Sequence, residues 1–255
     1  MDLAQLYESL SALDPAALTF WQDSFLKFYR AWFYNDRWMQ YFQGLATTVQ
    51  VTVIALCLGV VLGVLVAVVR TAHDQQRPGT RNPLLGLVNL VCKVYVTVIR
   101  GTPMMVQLMI MGMVIFKSSR NSTMVGALAL GINSGAYVAE IIRGGLMSLD
   151  PGQSEAGRSL GLNYIDTMRF IVIPQAFKAI LPALGNEFIV LLKDTSLISV
   201  IAGKEIVYFA QAISTRTCEP MFPLLITAVM YLIMVMIFGW LQEKLERRLR
   251  QSDRR

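Results

Sequence analysis

Between Arg37 and Arg70 the chain carries no charged residue. The apolar heart of that stretch, Leu45 to Val69, is about long enough to cross a ~30 Å hydrocarbon layer as a helix. Composition points the same way, with 55% of residues hydrophobic and only 16% charged, against about 25% charged in a soluble domain. Pro220 to Gln242 is a second clean stretch, and Asn121 to Ala139 is a third, richer in Gly and Ala. Asn82 to Phe116 is interrupted by Lys93 and Arg100, and Ala179 to Gly203 by Glu187, Lys193 and Asp194. The clean stretches place the chain in a membrane, so the interrupted ones are read as spans too. The expectation is an all-α membrane protein with about five transmembrane helices. Ionisable groups at membrane depth are costly and usually functional, so the interruptions are themselves informative.

Five spans put the two ends on opposite sides. Lys244, Arg247, Arg248, Arg250, Arg254 and Arg255 assign the C-terminus to the cytoplasm by the positive-inside bias. The same side then holds Arg70, Arg77 and Arg81, and the long third loop with Arg143, Arg158, Arg169 and Lys178. The N-terminus lies outside, where Lys27, Arg30 and Arg37 are offset by Asp2, Glu8, Asp14, Asp23 and Asp36. The net charge of +6 is thus read as orientation, and no nucleic acid partner is implied. Residues 1–37 lack the basic start and apolar block of a cleaved signal peptide. Their aromatic content, including Trp21, Trp32 and Tyr34, leaves two readings open, an interfacial helix or a disordered lead-in. Residues 38–242 form the transmembrane domain and 243–255 a basic tail.

Pro78 and Gly79 mark a polar turn in the first loop. The third loop holds Asp150-Pro151-Gly152, a turn signal, and then a short helix over about 153–162. Ser154 is its expected N-cap, Glu155 suits its positive end and Gly161 its stop. No glycine-rich run ending in Gly-Lys-Ser or Gly-Lys-Thr is present, and His73 is the single histidine. A nucleotide site and a Ser/His/Asp set are therefore both missing, so no catalytic residue is assigned. Cys57, Cys92 and Cys218 have no paired spacing, and the methionines read as adaptable packing, so no metal site is expected.

Glu155-Ala156-Gly157, Gly161 and Ile171-Val172-Ile173-Pro174 resemble the EAA signature of binding-protein-dependent ATP-binding cassette importers, with the spacing kept throughout. Gly157 stands where that signature has its second Ala and Ile173 where it has Leu. The glycine is expected to loosen the helix slightly, by up to ~1 kcal/mol. Tyr95 with Ile99-Arg100-Gly101-Thr102-Pro103 and Gln107 is similar to a stretch of the polar amino acid permeases, with Thr97 at the usual acidic position. Ile132-Asn133-Ser134 with Tyr137 to Arg143, and Leu184 to Phe188 with Leu192-Lys193-Asp194, resemble the same branch. The resemblance covers roughly residues 40–250. It implies a type I importer transmembrane domain in a bacterial inner membrane. Glu155, Ala156, Gly157 and Gly161 would form a cytoplasmic coupling helix docking on an ATPase. The implied partners are two ATP-binding subunits, a second permease copy or homologue, and an extracytoplasmic solute-binding protein. ATP and Mg would be bound by the ATPase, with no cofactor in this chain.

A zwitterionic amino acid needs an acceptor for its ammonium and donors for its carboxylate. Glu187 sits mid-span and suits the ammonium or a cationic side chain; Asn133 offers both donors and acceptors. Both match positions that line the substrate cavity in the family. Two other roles stay open: Glu187 paired with Lys193 or a partner helix, and Asn133 holding helices together. Gln107, Asp194 and Thr195 are weaker substrate candidates, and Lys193-Asp194 is a possible local pair. Pro103 is placed to break a helix, with Arg100 supporting that break or a dimer interface. Glu140 and Arg143 are spaced to pair on one helix face. The leading function is amino acid transport as a non-enzymatic permease. The competing one is a membrane anchor or signalling scaffold whose cytoplasmic helix binds a non-ATPase partner.

Overall fold

The computed structural model describes residues 2–76 and 82–252. Arg77, Pro78, Gly79, Arg81, Arg254 and Arg255, used in the charge and turn readings above, lie outside the described residues. Within them every regular element is helical. Five stretches are long and apolar enough to cross a membrane: Tyr34–Asp74, Pro83–Gly101, Ser122–Met147, Tyr164–Ile201 and Met221–Leu249.

The N-terminal segment is helical where a disordered lead-in was the alternative. Helices α1 (Leu3–Ser11) and α2 (Phe20–Trp32) each start in a capping box, Asp2 with Gln5 and Thr19 with Gln22. The chain then turns at Asn35 and Asp36, both at φ 52°, a region that Asn and Asp tolerate better than other side chains. Buried Arg37 hydrogen-bonds back to the Arg30 carbonyl across that corner. It opens α3 (Arg37–Asp74), the first span.

The second apolar stretch is broken where Pro103 predicts. Helix α4 (Pro83–Gly101) stops, and α5 (Met104–Met109) resumes and runs into a π-helical turn, Ile110–Ile115. Helix α6 (Ser122–Met147) is the third span, capped by Asn121. The fourth is segmented. Helix α8 (Tyr164–Thr167) leads through a π-helical turn into α9 (Ile173–Asp194), which tightens to a 3-10 helix over Thr195–Ile201. Helix α10 (Ile206–Thr217) precedes α11 (Met221–Ser252). The last helix passes straight through the boundary expected at residue 243, so the first part of the basic tail is helical.

The short third-loop helix, α7 (Pro151–Ser159), starts earlier than its sequence suggests. Asp150 is the N-cap in place of Ser154, because its carboxylate reaches Gly152 N at 2.8 Å and Pro151 fills the first helical position. The end is as read. Gly161 has φ +81°, Leu162 N–H bonds to Gly157 O at 3.1 Å, and Gly161 N–H bonds to Arg158 O at 2.9 Å, a Schellman closure.

The core of the bundle is the contact between α3 and α6, and glycines create it. A methyl group at Gly59 would lie 2.8 Å from Ser134 Oγ, and one at Gly63 would lie 2.5 Å from Val138. In return, a methyl at Gly131 would lie 2.7 Å from Leu58, and one at Gly135 would lie 2.8 Å from the Tyr95 hydroxyl. Each helix therefore offers two small residues four apart, which lets the backbones approach closely and pack without a hydrophobic driving force from lipid. On one side of this contact Val51, Ala55, Leu108, Leu130, Leu191 and Ile198 form a buried cluster, and Val96, Ala136 and Ala139 form another. Overpacking a filled contact costs about 1–3 kcal/mol or more. Gly63→Leu should therefore lower the melting temperature of the purified complex by several degrees. Gly86→Leu, at a position where an added methyl meets nothing, should leave it unchanged; equal melting of all three proteins would refute this account.

Candidate functional site

Polar side chains of three spans gather around α6 at span depth. Glu187, on α9, is 8% exposed and accepts a hydrogen bond from Ser134 Oγ at 2.7 Å. Gly59 leaves the room in which Ser134 stands. Ser134, and not Lys193, is thus the partner of this carboxylate; Lys193 makes no ion pair within 4 Å among the described residues. The local Lys193–Asp194 pair is accordingly not formed. Asn133, next along α6, donates from Nδ2 to Gln107 Oε1 at 3.0 Å.

Gln107 has a clear structural role. Its Nε2 donates to Ile99 O at 2.7 Å, Thr102 O at 3.1 Å and Thr102 Oγ1 at 2.8 Å. These are groups at the end of α4, whose helical partners are lost at Pro103. One amide therefore splints the break and also holds Asn133. The structure brings Glu187, Asn133 and Gln107 into one connected region. Asp194 lies seven residues, about two turns, beyond Glu187 on α9 and is half-buried. Thr195 stands apart from the others: it is 0% exposed and its hydroxyl donates to Leu192 O at 2.6 Å.

Arg100, at the end of α4, sets its guanidinium 5.2 Å over the Tyr137 ring of α6. Glu140 and Arg143 pair at 3.7 Å as their spacing predicts, and Glu140 also meets Arg70 of α3.

Helix α7 is mounted rigidly. Gly157 faces inward, where a methyl group would lie 2.9 Å from Thr167 Cγ2 and 3.1 Å from Ile171. Gln175 Nε2 bonds to Gln153 Oε1 at 3.0 Å. The glycine expected to loosen this helix instead lets it seat against the start of the fourth span. Glu155 and Ala156 are exposed, and Asp150, not Glu155, supplies the cap. The outer face of α7 is free for a partner.

One buried acid escaped the sequence reading. Glu205 is 0% exposed, N-caps α10 by accepting from Val207 N at 2.7 Å and Tyr208 N at 2.8 Å, and accepts from the Tyr231 hydroxyl at 3.0 Å. Its signal in the sequence is an acidic residue directly before an apolar helix. Burial pushes this carboxyl up to about 7, against the pull of its hydrogen bonds.

The packed spans, the buried polar cluster and the mounted helix at one end define the membrane-embedded part of a transport machine. Residues 83–251 match the family model for the binding-protein-dependent transport system inner membrane component, and the chain belongs to that family. It is 34% identical over 212 residues to the glutamine transport system permease protein GlnP of Escherichia coli K12, covering 82% of this chain and 92% of that one. It is 32% identical over 214 residues to the arginine transport system permease protein ArtQ of Bacillus subtilis, covering 83% and 93%. A crystal structure of an amino acid ABC transporter with histidines superimposes with a TM-score of 0.73 at 40% identity, over 82% of this chain and 94% of that one. The inward-facing MetNI methionine ABC transporter shares the fold, with a TM-score of 0.69 at 17% identity over 83% and 96%.

The raised Glu205 value carries a pH dependence. Between its ordinary 4.5 and about 7 the folded protein holds a proton that the unfolded chain has released. That contribution to stability is full below 4.5, declines as pH rises, and levels off above about 7. The melting temperature of wild type relative to Glu205→Gln should fall between pH 5 and pH 8. A difference that stays constant or grows would show that Glu205 is ionised throughout.

Proposed function

We propose that this chain forms the translocation pathway for a polar or cationic amino acid, with Glu187 receiving the positive group of the substrate and Asn133 a neighbouring polar atom. The observation that carries this reading is a carboxylate at span depth, 8% exposed, whose one hydrogen-bond partner among the described residues is the neutral Ser134 hydroxyl. Among the described residues no cation lies within ion-pair distance of it, so a passing ammonium or guanidinium finds an acceptor already held in place. Binding should be modest, because both charges lose hydration when they meet. Asp194, two turns further along α9, extends the acidic track. The relatives that carry glutamine and arginine in their names fit a neutral or a cationic side chain equally well.

Coupling belongs to α7. Its exposed Glu155 and Ala156 offer a helix-in-groove contact to an ATP-binding subunit, and Gly157 and Gly161 fix the pose. The working assembly is two permease chains, two ATPase subunits binding ATP and Mg, and an external solute receptor. The two roles separate cleanly by mutation. Glu155→Arg should reduce co-purification of the ATPase, while Glu187→Gln should keep it and lower uptake at least several-fold. Asn133→Ala should lower uptake less, through hydrogen bonds worth about 1 kcal/mol each. Normal uptake by Glu187→Gln would remove it from the pathway, and a Glu187→Gln complex that falls apart would make it a packing residue.

The same reading sets the orientation: α7 and the C-terminal end of α11 inside, and the N-terminus and the α10–α11 connection outside. Cys218 is exposed at the end of α10. In a Cys57→Ser, Cys92→Ser background, a membrane-impermeant maleimide should label it in intact cells with the outer barrier opened. Labelling only after lysis would invert the topology.

A further inference from the structure

The charge balance around Glu140 leaves one cation over. Arg70 of α3, Arg100 of α4 and Arg143 of α6 converge on this carboxylate. Arg70 touches it directly; Arg143 lies 3.7 Å from it and 3.8 Å from Asp74; Arg100 pairs, among the described residues, with Glu140 alone, at 3.8 Å. His73, 3.5 Å from Asp74, adds no acid. Among the described residues, two carboxylates thus face three guanidinium groups. Exposure identifies the unbalanced one: the Arg100 side chain is 43% exposed, against 30% for Arg143 and 16% for Arg70. Arg100 also makes no hydrogen bond among the described residues, so its planar fork of N–H donors is open to a carboxylate.

Its position matters as much. Arg100 lies over Tyr137, which is one turn along α6 from Asn133 and on the same face. The rest of the site is poor in donors. The Gln107 amide nitrogen is committed to Ile99 and Thr102, so its oxygen faces Asn133 and takes one of the Asn133 N–H groups. The Ser134 hydroxyl already donates its hydrogen bond to Glu187. Asp194 and Glu187 add only acceptors. A zwitterion placed there leaves its carboxylate short of donors, and an unmet carboxylate at this depth is costly. Along α9, Asp194 lies farther from α7 than Glu187, and along α6, Tyr137 lies one turn nearer α7 than Asn133.

We propose that Arg100 anchors the α-carboxylate of the transported amino acid, which lies along α6 with its ammonium toward Glu187 and its carboxylate toward the guanidinium held on Tyr137. This rests on the reading of Glu187 given above, and the test keeps the two apart. The permease–ATPase complex, in nanodiscs and without receptor, is titrated with L-arginine and with L-argininamide, which lacks the carboxylate charge. Hydrogen bonds to charged groups imply a loss of about tenfold or more. Arg100→Gln should weaken L-arginine by that much and leave L-argininamide unchanged, Arg100→Lys should recover part of the loss, and Glu187→Gln should weaken both ligands. If Glu187→Gln weakens both while Arg100→Gln weakens neither, or both equally, the anchor is wrong and the site stands. If Glu187→Gln changes nothing, or wild type binds neither probe, the site reading itself fails. Dissociation of the Arg100→Gln and Arg100→Lys complexes on size exclusion would make Arg100 an interface residue and overturn the proposal.

Discussion

Everything in this bundle depends on how closely α3 and α6 approach. Lipid gives two apolar helices no reason to associate, so their contact must come from packing and from polar groups that meet across it. Gly59 and Gly63 on one helix and Gly131 and Gly135 on the other remove the side chains that would hold the backbones apart. The consequence runs outward. Ser134 fits because Gly59 has no side chain, and from that position it holds the Glu187 carboxylate of a third helix. Tyr95 fits because Gly135 has none, and its hydroxyl reaches the Ile132 carbonyl at 2.5 Å, tying in α4. A missing methyl group thus determines where a buried charge sits.

The polar groups are arranged around breaks in helices. Pro103 frees carbonyls at the end of α4, and Gln107 takes them up with the same amide that fixes Asn133. The fourth span changes pitch at both ends, by a π-helical turn before α9 and a 3-10 stretch after it. Irregular backbone at membrane depth is tolerated only when its hydrogen bonds are met within the protein. Two of these irregularities lie beside residues with proposed roles. Gln107 and Arg100 flank the first break, and Asp194 begins the 3-10 stretch.

The spans were legible because a charge-free run of helical length suits little else than a membrane crossing, and Pro103 marked its break correctly. The turn at Asp150-Pro151-Gly152 and the stop at Gly161 gave the short helix its place. Its cap was misread because Ser154 and Asp150 are equally good capping types, and only the position of Pro151 separates them. Glu187 stood out as an acid among apolar neighbours, yet its partner, Ser134, was invisible: nothing in the sequence shows which small residue on which helix comes within 2.7 Å. Thr195 shows the opposite limit. It lies next to Asp194 in sequence, but the tightening of the helix there turns its hydroxyl onto the Leu192 carbonyl. Glu205 was passed over because a loop acid and a buried helix cap look alike until Tyr231 arrives from another helix.

The seat of α7 on the fourth span has a consequence for how such chains diverge. Gly157 fits because Thr167 and Ile171 occupy the space that its methyl group would need. Positions 157 and 167 therefore share one small volume and cannot drift independently. Homologues that carry alanine at the first are expected to have surrendered bulk at the second, so that the two sites co-vary across an alignment although a turn of loop separates them. The departure at Gly157 is then half of a matched substitution rather than a decayed motif, and it reports the shape of its neighbour.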